Sequence, residues 1–215
     1  IELIVVKQRK GDIIEVVNEV NNKINIYKEK YKGIVHLETF DDLSFYVKRR
    51  LKVLKSNGLV AFALVVLILF TFLPPISATM TAMGIPIAFF ATFCVMKALG
   101  LTVNLLTMFG LIMVLGIIVD DGIIISENVF RYIENGVNPH KASIMGTDEV
   151  AAPVLATVLT TIVAFSPLMF MSGIIGKFVK YIPYVVIIAL VASLVEALFI
   201  LPSHLADFAR THHKG

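Results

Sequence analysis

Cysteine is almost missing from this sequence: Cys94 is the only one. An internal disulfide is therefore impossible and a cysteine-built metal site is excluded. Charge is scarce too, at 16% of the 215 residues, where a soluble domain carries about 25%. The net charge of +3 is too small and too scattered for a nucleic-acid surface. No His, Ser or metal-ligand cluster has catalytic spacing, so an enzyme is not expected; His204, His212 and His213 near the tail are expected in water. The first residues show neither an initiator Met nor a signal-peptide pattern, and the chain is expected to be an internal piece of a longer protein.

Apolar residues fill the space that charge leaves. They make up 57% of the chain, and the mean hydropathy is +0.85, the composition of a membrane protein. From 56 to 96 there is no charged residue, enough length for two spans of about 20 residues. Pro74-Pro75 divides that run, because neither proline can continue the first helix. The expected fold is a membrane all-α bundle over residues 58–205, with five transmembrane helices at about 58–73, 76–98, 102–129, 150–171 and 178–202. Pro86 is expected to kink the second span, and Pro153 and Pro167 to break the fourth locally. The tail occupies 206–215.

Ahead of the bundle, residues 1–42 read as a small β-α-β piece. Residues 1–7 and 34–40 are rich in β-branched and aromatic side chains and are expected as strands. Between them, Ile13, Val16, Val17, Val20, Ile24, Tyr27 and Tyr31 recur at helical spacing. Asp12 with Glu15 suggests a capping box, and Gly33 a C-cap. Residues 43–57 form a basic amphipathic lead-in helix, with Val47, Leu51 and Leu54 on one face and Lys48, Arg49, Arg50, Lys52 and Lys55 beside it. Such a segment suits the headgroup level, either as a solvated helix or as a lipid site.

The third span carries two adjacent carboxylates, Asp120 and Asp121, inside an apolar run. Each costs roughly 2.5–3.5 kcal/mol near the centre of a membrane helix. No Lys or Arg lies deep inside any of the five spans to offset it; Lys97 and Lys180 sit at span ends. Successive helix residues point about 100° apart, so the two acids address different neighbours. Asp120 shares a stripe with Gly116, Ile124 and Glu127, and Asp121 with Ile117 and Ile125. Gly110, Gly116 and Gly122 leave room for neighbouring helices to approach. Two carboxylates this close in a poorly hydrated place titrate as a coupled pair, which is what a proton carrier requires. The alternative is a static ion pair with a base outside this sequence. Glu127, Glu196 and Asn104 are accessory candidates; Asn104 also reads as a helix cap. Thr157, Thr160, Thr161 and Ser166 give the fourth span a polar edge, read as helix packing.

The run LTMFGLIMVLGIIVDDGIIISENV closely resembles the fourth transmembrane helix of multidrug efflux permeases of the resistance–nodulation–division superfamily, in the hydrophobe/amphiphile branch. The order of segments around it resembles that family over essentially the whole chain, as spans two to six of the N-terminal half. The paired aspartates favour this branch over the metal-exporting one, which usually shows a single Asp here. Departures are Gly122, where Ala is usual, and Glu196 in SLVEALFILPSHL.

The resemblance implies a proton antiporter with Asp120 and Asp121 as the relay, driven by the proton motive force with no cofactor. Their partners would be a Lys, an Arg and a Thr from the second transmembrane half. Residues 1–42 would then be the end of a periplasmic porter domain, with Phe40 bordering its substrate pocket or acting as a plain core aromatic. The location would be a bacterial inner membrane, with the N-terminal piece periplasmic and the C-terminal tail cytoplasmic. The loop charges alone would place them the other way round. Further implied partners are a homotrimer, a periplasmic adaptor protein, an outer-membrane channel and the lipid bilayer, with no nucleic acid. Two other readings remain open at this level: a related transporter of lipids or exported protein, and a structural membrane module whose acids merely pair helices.

Overall fold

The computed structural model describes residues 5, 13–34, 36–39 and 44–212. The chain divides into two compact units, Ile1–Lys55 and Ser56–Gly215. In the first, helix α1 spans Ile13–Lys30. Val16, Val17, Val20 and Ile24 form its half-buried stripe, while Tyr27 and Tyr31 lie exposed and stack at 6.2 Å between ring centroids. A turn follows over residues 31–34.

The expected β-α-β arrangement is not what the structure shows. Residues 36–39 have no regular structure, and there is no strand among the described residues. A strand exists only through pairing, and β-branched composition supplies the propensity for it but not the partner. Most of residues 1–7, the Asp12 cap and Phe40 lie outside the described residues.

Helix α2 runs over Ser44–Phe72 as one helix that joins the basic lead-in to the first apolar stretch. It stops at the double proline, and Pro75 opens α3, Pro75–Ala98, at a position where a missing N–H costs nothing. Pro86 sits inside α3 on its exposed side, and the helix continues past it. Gly100, at φ +70°, ends the turn that follows, with Leu101 N–H bonded back to the Met96 carbonyl at 2.8 Å. Helix α4 then covers Leu105–Glu134 and α5 covers Pro139–Phe165. Pro153 lies within α5 without changing its helical type, whereas Pro167 falls in a 3₁₀ turn at Ser166–Phe170. A short α6, Gly173–Val179, precedes α7, Tyr181–Val195. A π-helical turn at Glu196–Ile200 leads into α8, Leu201–His212.

Among the described residues, five stretches are long and apolar enough to cross a membrane: Lys55–Phe72, Pro75–Ala98, Leu105–Glu134, Pro139–Phe170 and Gly173–Asp207. This is a multi-pass membrane chain. Within the second unit α4 is the central helix. Its Ile125 and Val129 are fully buried with Met80, Val154 and Leu201. One layer away, Val114 and Ile118 pack with Ala88, Val158, Val186 and Leu190. Both layers are continuous apolar packing, so the polar groups on α4 stand out against them.

Candidate proton-relay site

Asn104 starts α4. Its side-chain oxygen accepts from the N–H groups of Leu106 and Thr107 at 2.9 and 3.1 Å, and the Thr107 hydroxyl accepts from the Asn104 N–H at 2.7 Å. The residue is thus a reciprocal cap, which satisfies donors at the helix mouth and places nothing near the aspartates. About four turns of largely apolar helix follow before the first acid.

The two aspartates face different surroundings, as their spacing requires. Asp121 is 4% exposed and lies with Ile125 on the buried side of α4. Its Oδ2 is fully buried and has no hydrogen-bond partner. Asp120 is exposed, and so are Gly116, Ile124 and Glu127 along its stripe. Between α4 and α5 the chain leaves an open cleft of about 370 Å³ lined by Ile117, Asp120, Asp121, Ile123, Ile124, Thr157, Val158 and Thr161. Both carboxylates therefore reach one space.

Thr157 and Thr161 belong to that space, although their spacing reads as a packing edge. Each hydroxyl donates to a carbonyl of its own helix, Thr157 to Val154 at 2.8 Å and Thr161 to Thr157 at 2.9 Å. Their oxygens still have lone pairs to accept a hydrogen bond. The signal that could have found them is their i, i+4 spacing on the helix that follows the acidic one. An ionised carboxylate only accepts hydrogen bonds, and burying one unpaired is costly. Asp121 can thus be held in this position by a proton, a cation or water. The one base on α4, Arg131, is already bonded to Glu149 at 2.8 Å.

The other candidates lie apart. Glu127 is exposed and lines a second cleft of about 880 Å³, together with Arg131, Glu134, Leu69 and Phe72. Glu196 is buried at the π turn, against Gly84 of α3. Of the three α4 glycines, Gly110 meets the Ile182 backbone and Gly122 meets Thr81 closely, with 3.2 and 3.0 Å left for a Cβ. Gly116 meets nothing within 4 Å; its expected close neighbour is not among the described residues.

All 215 residues match the model of the AcrB/AcrD/AcrF family. Multidrug resistance protein MdtC of Pantoea ananatis (strain AJ13355) is 29% identical over 211 residues, 98% of this chain and 21% of that protein. The MdtC of Escherichia coli O139:H28 (strain E24377A / ETEC) is 30% identical over 201 residues, 93% of this chain and 20% of the relative. The MdtC of Yersinia pestis bv. Antiqua (strain Angola) is 29% identical over 214 residues, covering 99% and 21%. The chain thus spans about a fifth of the length of the curated relatives it matches. With five membrane-length helices and a full-length family match, the chain belongs to the AcrB/AcrD/AcrF family of resistance–nodulation–division permeases.

Proposed function

We propose that this chain is the proton-coupling part of an efflux transporter that exports drugs or other amphiphilic compounds in exchange for protons. Asp120 and Asp121 are the carriers, the proton motive force is the energy source, and no cofactor takes part. The observation that carries the reading is the Asp121 carboxyl, buried in a membrane helix with one oxygen unpartnered, beside a second carboxyl on an open cleft. Such a group is stable in more than one charge state only if a proton or cation can come and go.

In the cycle, ionised aspartates hold cationic side chains from the other transmembrane half. Protonation releases them, the helices shift, and the porter domain moves its cargo. The exposed stripe Gly116–Asp120–Ile124–Glu127 is the face available to those partners. The transporter works in a bacterial inner membrane, with the N-terminal piece periplasmic and the tail cytoplasmic. It is a homotrimer acting with a periplasmic adaptor and an outer-membrane channel. A reporter fused to the tail is active on the cytoplasmic side if this orientation holds.

Asp120→Asn and Asp121→Asn are each expected to abolish export of a fluorescent cationic dye while the protein remains in the membrane at normal abundance. Proton-dependent dye export retained by both variants defeats the reading. A drop in abundance with export per molecule unchanged would instead make the acids structural. Lipid flux lost where dye export never existed would identify a lipid transporter.

A further inference from the structure

Glu196 is a buried acid that the aspartate relay does not use. It lies inside the apolar stretch Gly173–Asp207 and is only 6% exposed. Among the described residues no ion pair or side-chain hydrogen bond reaches its carboxyl group. An ionisable side chain in such a place is costly unless it has a task.

Two features of the backbone build its surroundings. Glu196 opens the π-helical turn Glu196–Ile200, whose wide ring is closed by the Leu201 N–H on the Glu196 carbonyl. Pro202 follows directly; it has no N–H to give the Leu198 carbonyl, and its ring crowds that carbonyl. Across from the turn, α3 presents Gly84. A Cβ there would lie 2.7 Å from Glu196 Cδ and 2.8 Å from Oε2, and it would overlap Oε1. The carboxyl group therefore occupies a seat that exists only because residue 84 has no side chain. A bare carboxylate gains no partner in that seat, whereas the neutral carboxylic acid is far less costly to bury there.

The elements packed on the π turn are α3, α4, α7 and α8. On α3, Ser77 and Thr81 are buried polar groups, while Cys94 and Lys97 are exposed. On α4, the carboxyl groups are Asp120, Asp121, Glu127 and Glu134, of which only Asp121 is buried, and Arg131 is held by Glu149. Tyr132 of α4 and Tyr181 of α7 are half-buried and Tyr184 is exposed, as are His204 and Asp207 of α8. None of these forms an ion pair with Glu196.

We propose that Glu196 is a second proton-binding group of the membrane bundle, seated against Gly84 when protonated and driven off that seat when it ionises. The proton passes between hydronium and a Glu196 oxygen: an O–H bond forms on the carboxylate as one breaks in hydronium, and release to water reverses both. Because the seat lies between α3 and the π turn, ionisation loosens that contact. This goes beyond the aspartate relay and stands or falls separately from it.

The test uses infrared difference spectra of the native protein in liposomes, in an Asp120→Asn/Asp121→Asn background that removes the relay pair. A protonated-carboxyl C=O band is expected to disappear on raising the pH and to be absent once Glu196→Gln is added. Gly84→Ala is expected to keep the band and displace its titration midpoint, because the added methyl pushes the carboxyl aside without removing it. A band untouched by Glu196→Gln overturns the proposal, as does one that never changes with pH. An unmoved midpoint in Gly84→Ala removes the seat. Failure of the relay reading shows elsewhere, as dye export surviving in the aspartate variants. If Glu196→Gln does not assemble, the Gly84→Ala midpoint still decides the question.

Discussion

Helix α4 meets α5 in two ways. Towards its C-terminal end the contact is tied by polar groups: Asn128 donates to the Gly146 carbonyl at 2.7 Å and to Glu149 at 3.0 Å, and Arg131 donates to the same carboxylate at 2.8 Å. Gly146 presses so closely on α4 that a Cβ would lie 2.8 Å from the Val129 Cα. About two turns earlier, the same two helices part around Asp120 and Asp121, and an unpartnered carboxyl oxygen is left there. One acid of the interface is given two donors and the other none. The satisfied acid fixes the helices, and the unsatisfied one is placed where they leave space. A tied end beside an open middle lets charge change at the aspartates without dismantling the helix pair.

The tied end is the easier half of this comparison to break. Gly146→Val forces branched carbons onto the Val129 backbone, which cannot swing aside as a side chain could. The expected loss is about 3 kcal/mol, the upper end for overpacking, read as a lower melting temperature and reduced abundance in the membrane. If Gly146→Val melts like the parent protein, the close approach is not what holds the pair. Asn128→Ala is expected to cost less, about 1 kcal/mol for a lost buried side-chain hydrogen bond, because the Gly146 carbonyl keeps its helical donor. Arg131→Ala should be smaller still, because both partners of that ion pair are about half exposed. A melting loss for Arg131→Ala larger than for Asn128→Ala would reverse the ranking of the two contacts.

The membrane-length helices were legible in the sequence because apolar length is the main requirement for crossing a bilayer, and Pro74-Pro75 marks one boundary chemically. The division of Asp120 from Asp121 was legible for the same kind of reason, since 100° per residue separates an exposed stripe from a buried one. The strand expected at 34–40 shows where this stops: residues 36–39 form none, because pairing depends on residues distant in sequence. The tie between Asn128, Glu149 and Gly146 also joins distant residues, and nothing in the local pattern of either helix announces it. Thr157 and Thr161 became part of the aspartate cleft only once the α4–α5 pairing was known. Pro202 was visible, but neither the π turn ahead of it nor the seat at Gly84 was, because the seat depends on how α3 packs.

The open middle is sharpened by a smaller substitution, Gly116→Ala. A Cβ at Gly116 meets nothing within 4 Å, so within this chain the change should be harmless. Exchanging Gly for Ala inside a helix is in fact expected to stabilise by about 0.5–1 kcal/mol. Gly116 nevertheless shares the exposed face of Asp120, one turn away. If a helix carrying the cationic partner approaches along that face, the added methyl separates its base from the carboxylate. Gly116→Ala should then slow dye export several-fold while leaving melting temperature and abundance equal or slightly raised, a combination that a packing defect cannot produce. Export at the parental rate would mean that nothing comes close to Asp120 along this stripe, and the partner would have to reach the acids through the Thr157–Thr161 cleft instead.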